Sequence, residues 1–114
     1  MPKDFRMQRI ADLIRTTLAE ILLQETEDQR FHKVNLTRVT VSRDLNHAKI
    51  YVSFMPQEDA QEMIKALNRA AKYLRYHLAQ AIQLRVTPEL RFYYDDSGVK
   101  GQRIVDLLNK ALKD

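Results

Sequence analysis

Cysteine and tryptophan are absent from the 114 residues, and the chain holds only two glycines and three prolines. Without cysteine there is no disulfide, no thiol nucleophile and no Cys-ligated zinc, which fits a reducing cytoplasm. Both glycines fall late, at Gly98 and Gly101. The glycine-rich loops that cradle phosphates in P-loop and dinucleotide-binding proteins are therefore missing. No apolar run approaches the roughly 18 residues that a membrane span needs. The N-terminus, MPKDFRMQRIADLIR, interleaves charges with its apolar residues and lacks the apolar stretch of a signal peptide.

Catalytic constellations are equally scarce. His32, His47 and His77 fall in a linker, a turn and a helix, without metal-ligand spacing. Asp95 and Asp96 are adjacent, which suits a turn and a helix cap better than two carboxylates facing each other across a substrate. Ser42 and Ser53 have no base in the pattern around them. The reading is a chain without catalytic residues, metal or cofactor. Its length suits one domain, residues 1–114, with a core that needs no staples.

What the chain does have is positive charge in one place. It carries 19 basic and 15 acidic residues, a net of +4. Residues 61–86 hold five Lys or Arg against one acid, also a net of +4, so the remainder sums to zero. From Ala60 through this stretch, Ala60, Met63, Ile64, Leu67, Ala70, Ala71, Leu74, Leu78, Ala81 and Ile82 recur at helical spacing and predict one buried face. Lys65, Arg69, Lys72 and Tyr76 recur on another face, with Arg75 beside them. A cationic ridge backed by an apolar one suits phosphate binding, whereas a solvated helix face is the bland alternative. With a sequence pI of about 9.5, an acidic partner is expected, nucleic acid ahead of a membrane surface.

Around this stretch the pattern gives an α+β order. A first helix runs from about Asp4 to Gln24, with Met7, Ile10, Ala11, Ile14, Leu18, Ile21 and Leu22 as its stripe. Lys3, Arg6, Arg9 and Arg15 crowd its N-terminal half, against the preference of the helix dipole, which hints at a bound anion there. A polar link, Glu25 to Lys33, leads to a strand over Val34–Ser42. Its alternation slips phase, and a bulge near Thr37–Arg38 would reconcile the two halves. Asp44 and Asn46 make a turn. Ala48, Ile50, Val52 and Phe54 then alternate as a second strand. Pro56 opens the helical stretch, which is expected to end near Arg85 because Pro88 follows. Leu90, Phe92 and Tyr94 form a third strand. Ile104, Leu107, Leu108, Ala111 and Leu112 predict a last helix. A small sheet with helices on one face accommodates every stripe.

Two stretches also carry a resemblance. Val41-Ser42-Arg43-Asp44-Leu45-Asn46-His47-Ala48-Lys49-Ile50-Tyr51-Val52-Ser53 resembles the hairpin signature of the ribosome-binding factor A family. Leu84 to Ser97 resembles a later block of the same family, with Gly101, Ile104 and Leu107-Leu108 following in order. Arg6 and Arg9 match its basic N-terminal pattern. The resemblance implies a type II KH-like domain of order α-β-β-α-α-β-α, with a three-stranded sheet and helices packed on one face. It also implies a kink between the two core helices, marked by Ala-x-Gly. Here Ala70-Ala71-Lys72 occupies that place, so the kink loses its easiest backbone conformation and a straighter or shifted junction is in prospect. Gly98-Val99-Lys100-Gly101 spells the Gly-x-x-Gly of KH clamps, but it follows the third strand rather than joining the core helices, and reads as a turn.

The function the resemblance implies is binding to the immature small ribosomal subunit and its rRNA, with support for late maturation and 5′-end processing, above all in the cold. The protein is expected to be cytoplasmic, off the membrane and monomeric when free. Many members carry a longer C-terminal tail, and no role of such a tail is expected of a sequence ending at Asp114. The candidate RNA-binding residues are Arg6, Arg9, Lys65, Arg69, Lys72, Arg75 and Arg85. Two rivals remain: a basic adaptor that meets an acidic protein without touching RNA, and a small nuclease, which lacks a catalytic cluster.

Overall fold

A computed structural model describes residues 3–54 and 59–96, with side chains from residue 6 onward. Pro56, the turn at Gly98 and the expected last helix lie outside the described residues. The described order is α1 (Lys3–Gln24), a short 3-10 turn (Gln29–Lys33), β1 (Asn35–Val41), β2 (His47–Ser53), α2 (Ala60–Arg69), α3 (Ala71–Ala81) and β3 (Glu89–Tyr94). It follows the expected type II KH-like arrangement as far as β3.

Helix α1 forms where its apolar stripe predicts, and Ile14, Leu18 and Leu22 are fully buried. Burial of each such side chain contributes about 1.5–3 kcal/mol. The helix stops where its last carbonyls find side-chain donors. Thr26 Oγ1 donates to the carbonyl of Leu22 at 2.6 Å, and the Tyr73 hydroxyl donates to that of Glu25. The polar link that follows holds an apolar anchor: Phe31, in the 3-10 turn, is buried. The Asp28 carboxylate caps this turn by accepting from the Arg30 amide at 3.0 Å. The Arg30 guanidinium, 2.8 Å away, holds the Asp28 carboxyl below the ordinary carboxylate value.

The sheet order is β1-β2-β3, with β1 antiparallel and β3 parallel to β2. The register of β1 shifts between Leu36 and Arg38, the bulge that the phase slip predicts. It lets Leu36 and Val39 both face the core. Thr37, at the bulge, donates its hydroxyl to the Asp95 carboxylate at 2.6 Å, tying β1 to the end of β3. The β1–β2 turn uses Asp44 as expected: its Oδ1 accepts from the Ser42 hydroxyl at 2.7 Å and the Asn46 amide at 3.0 Å. These bonds hold the Asp44 carboxyl below its ordinary value, with the Ser42 hydroxyl first among the causes. They also brace Leu45, which has a φ of 63°, a conformation uncommon for a branched residue.

The helices pack on one face of the sheet, α1 against β1 and α3, and α2 and α3 against β3. Leu67, Leu74 and Leu78 meet Ile50, Val52 and Phe92 in one buried cluster that runs from α1 to β3. Ile64, expected on the buried face, is half-buried at its margin, as is Val41 of β1.

The helical stretch breaks at Ala70, the place the resemblance indicates, although no glycine is present. Ala70 turns the chain at φ −86° and ψ 0°, within the range open to L-residues. Glycine's access to positive φ is therefore not needed, and the break forms with Lys72 in place of the family's glycine. A polar clamp fixes α2 just before the break. The Asn68 side chain accepts from the Phe92 amide at 2.8 Å and donates to the Phe92 carbonyl at 3.2 Å. It thus satisfies backbone groups that the outer edge of β3 would leave unpaired.

Candidate nucleic-acid interface

The amphipathic spacing of α2 and α3 turns Lys65, Arg69 and Lys72 outward, and all three are exposed. They straddle the break at Ala70, so the ridge is carried on two short helices rather than one long one. Lys65 approaches the Glu62 carboxylate at 3.8 Å across one helical turn, an exposed pair worth a few tenths of a kcal/mol. Lys72 is the second residue of α3, where the positive end of the helix dipole disfavours a cation. It shares this placement with Arg6, in the first turn of α1.

Arg75 departs from the expectation. It is half-buried, and its guanidinium points away from solvent into the loop before β3. Nε donates to the Thr87 carbonyl at 3.0 Å and Nη2 donates to the same oxygen at 2.7 Å. Arg75 ties α3 to the β3 approach, where Pro88 is fully buried. The helical face and the ridge are not the same set: position 75 is angularly close to the ridge but already turned toward the sheet.

Arg85 also lies elsewhere than on a helix. α3 ends at Ala81, four residues short of the expected end, because Ile82 is extended with φ −131° and ψ 142°. Arg85 is exposed in the loop that Arg75 holds. Arg6 and Arg9 are exposed on the first turns of α1. The other end of that helix meets α3: the Tyr73 hydroxyl reaches the Glu25 carbonyl, and His77 Nδ1 lies 3.9 Å from the Glu25 carboxylate. At 1.5 Å per residue, Arg9 is roughly 24 Å along the axis from Glu25. The fold therefore gathers Lys65, Arg69 and Lys72 and sets Arg6 and Arg9 apart as a second cationic point.

Tyr76, placed on the ridge by its spacing, is 61% exposed and meets His77 edge to face at 5.4 Å. A cleft beside the 3-10 turn is lined by Arg30, Lys33, Asp59 and Glu62. Its opposite charges offset one another, so it offers no concentrated field for an anion. Among the described residues no group of three or more His, Asp or Glu could hold a metal ion. None of the described helices is long and apolar enough to cross a membrane.

Comparison with known proteins adds to this geometry. The sequence profile of the family described as ribosome-binding factor A matches residues 6–108. A ribosome-binding factor A from Coxiella burnetii (strain CbuG_Q212) is 47% identical over 108 residues, which cover 95% of this chain and 91% of that protein. A solution structure from Thermotoga maritima, described as a ribosome binding factor A, matches with a TM-score of 0.71 and 33% identity. The match covers 85% of this chain and 93% of that one. A homology model of Thermus thermophilus ribosome binding factor A, fitted into a cryo-electron-microscopy map of its complex with 30S, matches with a TM-score of 0.61 and 28% identity. That match covers 74% of this chain and 89% of that one.

Proposed function

This chain belongs to the ribosome-binding factor A family, and from that premise we propose that it binds the immature small ribosomal subunit through the subunit's RNA. The family match across residues 6–108 carries the reading, and the relative fitted into a 30S complex supports it. The exposed cations at Lys65, Arg69 and Lys72 supply the physical side. Two of the cations, Lys72 and Arg6, sit where the helix dipole disfavours them. A bound phosphate would offset that cost and release counterions as it did so. Arg85 extends the footprint from its loop. Arg75 acts indirectly, by holding that loop in place.

In this reading the whole chain works as one KH-like RNA-binding domain, monomeric when free and cytoplasmic. It makes and breaks no covalent bond and needs no cofactor. It supports late maturation and 5′-end processing of the rRNA by binding one RNA arrangement better than its competitors, and a ligand shifts an equilibrium only by such a difference. The effect is largest in the cold, where stable misfolds are slow to escape.

Sucrose-gradient fractionation of cells carrying tagged protein tests the reading. Co-sedimentation with free small subunits and depletion from polysomes is expected; a uniform spread with no ribosomal peak would overturn it. The variant Lys65→Glu/Arg69→Glu/Lys72→Glu is expected to lose the peak and, in titrations, to flatten the salt dependence by roughly 2–3 log units per log unit of salt. It should keep its melting temperature, since an acid at position 72 suits the start of α3. Retention of the partner after ribonuclease treatment would instead favour a protein adaptor.

A further inference from the structure

The helices cover one face of the sheet, and no described element covers the other. On that open face the register aligns Arg38 of β1 with Tyr51 of β2, and Tyr51 with Tyr93 of β3. The alignment is a physical stack. The Arg38 guanidinium lies 4.2 Å from the centre of the Tyr51 ring. The Tyr51 and Tyr93 rings are stacked at 5.6 Å between centres, with planes 28° apart. The next row brings Lys49 beside Arg91, both exposed. Among the described residues the acids beside this stack are Glu89 and Asp95, at either end of β3, with Asp96 following. Glu89 lies 3.6 Å from His47 Nδ1, and Asp95 accepts from Thr37.

We propose that this face is a second RNA site, which takes a single-stranded segment with unpaired bases. A row of stacked rings flanked by cations offers the two things such a segment needs: a ring at its end for base stacking and counter-charges for its phosphates. Tyr51 is held between Arg38 and Tyr93. Tyr93, on the edge strand, ends the stack, so a base laid on it extends a row that is already ordered. Lys49 and Arg91, one row away, are placed for the phosphates. A duplex keeps its base faces stacked internally and cannot use the ring. An acidic protein surface would use the cations but not the ring faces.

The proposal rests on the RNA-binding reading but on none of its residues. It therefore fails or holds separately. The full chain is titrated with a short single-stranded oligouridylate, with a blunt-ended RNA duplex, whose binding should not respond to Tyr93, with heparin and with polyglutamate. Tyr93→Leu should weaken oligouridylate binding about tenfold or more, while Tyr93→Phe stays near the parent. Heparin binding should not change in either variant, because heparin has no bases to stack. Lys49→Gln/Arg91→Gln should weaken oligouridylate and heparin alike and lower the oligouridylate salt slope by about 1.4; should Tyr93→Leu fail to fold, Tyr93→Val, suited to a strand, takes its place with the same expected loss. Unchanged oligouridylate affinity in folded Tyr93→Leu overturns the proposal, as does polyglutamate binding that is equally sensitive to Tyr93. Subunit co-sedimentation of the triple ridge variant is read in parallel. Loss there with intact oligouridylate binding leaves this face standing and assigns subunit docking to the ridge.

Discussion

Replacing Arg75 with methionine separates a structural cation from a phosphate-binding one. The substitution keeps the aliphatic stem that packs beside α3 and removes both donors to the Thr87 carbonyl, at 3.0 and 2.7 Å. Hydrogen bonds from a charged donor contribute about 1.5–3 kcal/mol each way of counting, but this site is only part-buried, so water recovers some of the loss and about 1–2 kcal/mol remains. For a domain of this size that lowers the melting temperature by about 4–10 °C. The control is Lys72→Met, three residues earlier on the exposed ridge, which should change stability by less than about 0.5 kcal/mol. Urea unfolding measures both variants, and an unchanged m-value certifies that the comparison is of stability alone. The expected pattern is crossed: Arg75→Met melts earlier and, when folded, loses less RNA affinity than Lys72→Met, which melts with the parent. If Arg75→Met melts with the parent and loses RNA, its guanidinium serves phosphate and the tie to Thr87 contributes nothing.

Two further outcomes follow from the core and the hairpin turn. Leu67→Ala, at a fully buried position facing the sheet, should cost about 2–5 kcal/mol in urea unfolding, and a loss below 1 kcal/mol would place it outside the core. Ser42→Ala should raise the Asp44 pKa toward its ordinary value, read by carboxyl NMR titration, because the Ser42 hydroxyl is the main cause of its depression. Since the folded value is depressed, the associated stability is present in full above the ordinary carboxylate pKa and fades as pH falls through the folded one. A Ser42→Ala protein should therefore lose less stability on acidification than the parent, and identical acid limbs would contradict this.

Much of this was readable locally. The stripe from Met7 to Leu22, the alternation from Ala48 to Phe54 and the bulge at Thr37 each follow from a period that a few neighbouring residues impose. The exposure of Lys65, Arg69 and Lys72 follows from the same helical period. Phe31 was hidden because one apolar residue in a polar link sets up no period at all. α3 ends before its spacing predicts, because the helical pattern continues through Ile82 while the Arg75 contacts to Thr87 and the burial of Pro88 draw the chain off toward β3. Nor could periodicity tell that the break at Ala70 needs no positive φ.

Composition and spacing by themselves determined the element types, the buried faces and the confinement of excess charge to one stretch, because each depends on residues within a turn or two of one another. Only the tertiary structure decided that Arg75 binds a carbonyl, that Asn68 closes the edge of β3, and that Arg38, Tyr51 and Tyr93 form one stack. Those partners are 12, 24 and up to 55 residues apart, since the stack runs from position 38 to position 93. Strand register and helix docking bring them together, and both are set by the packing of the whole core rather than by any local preference.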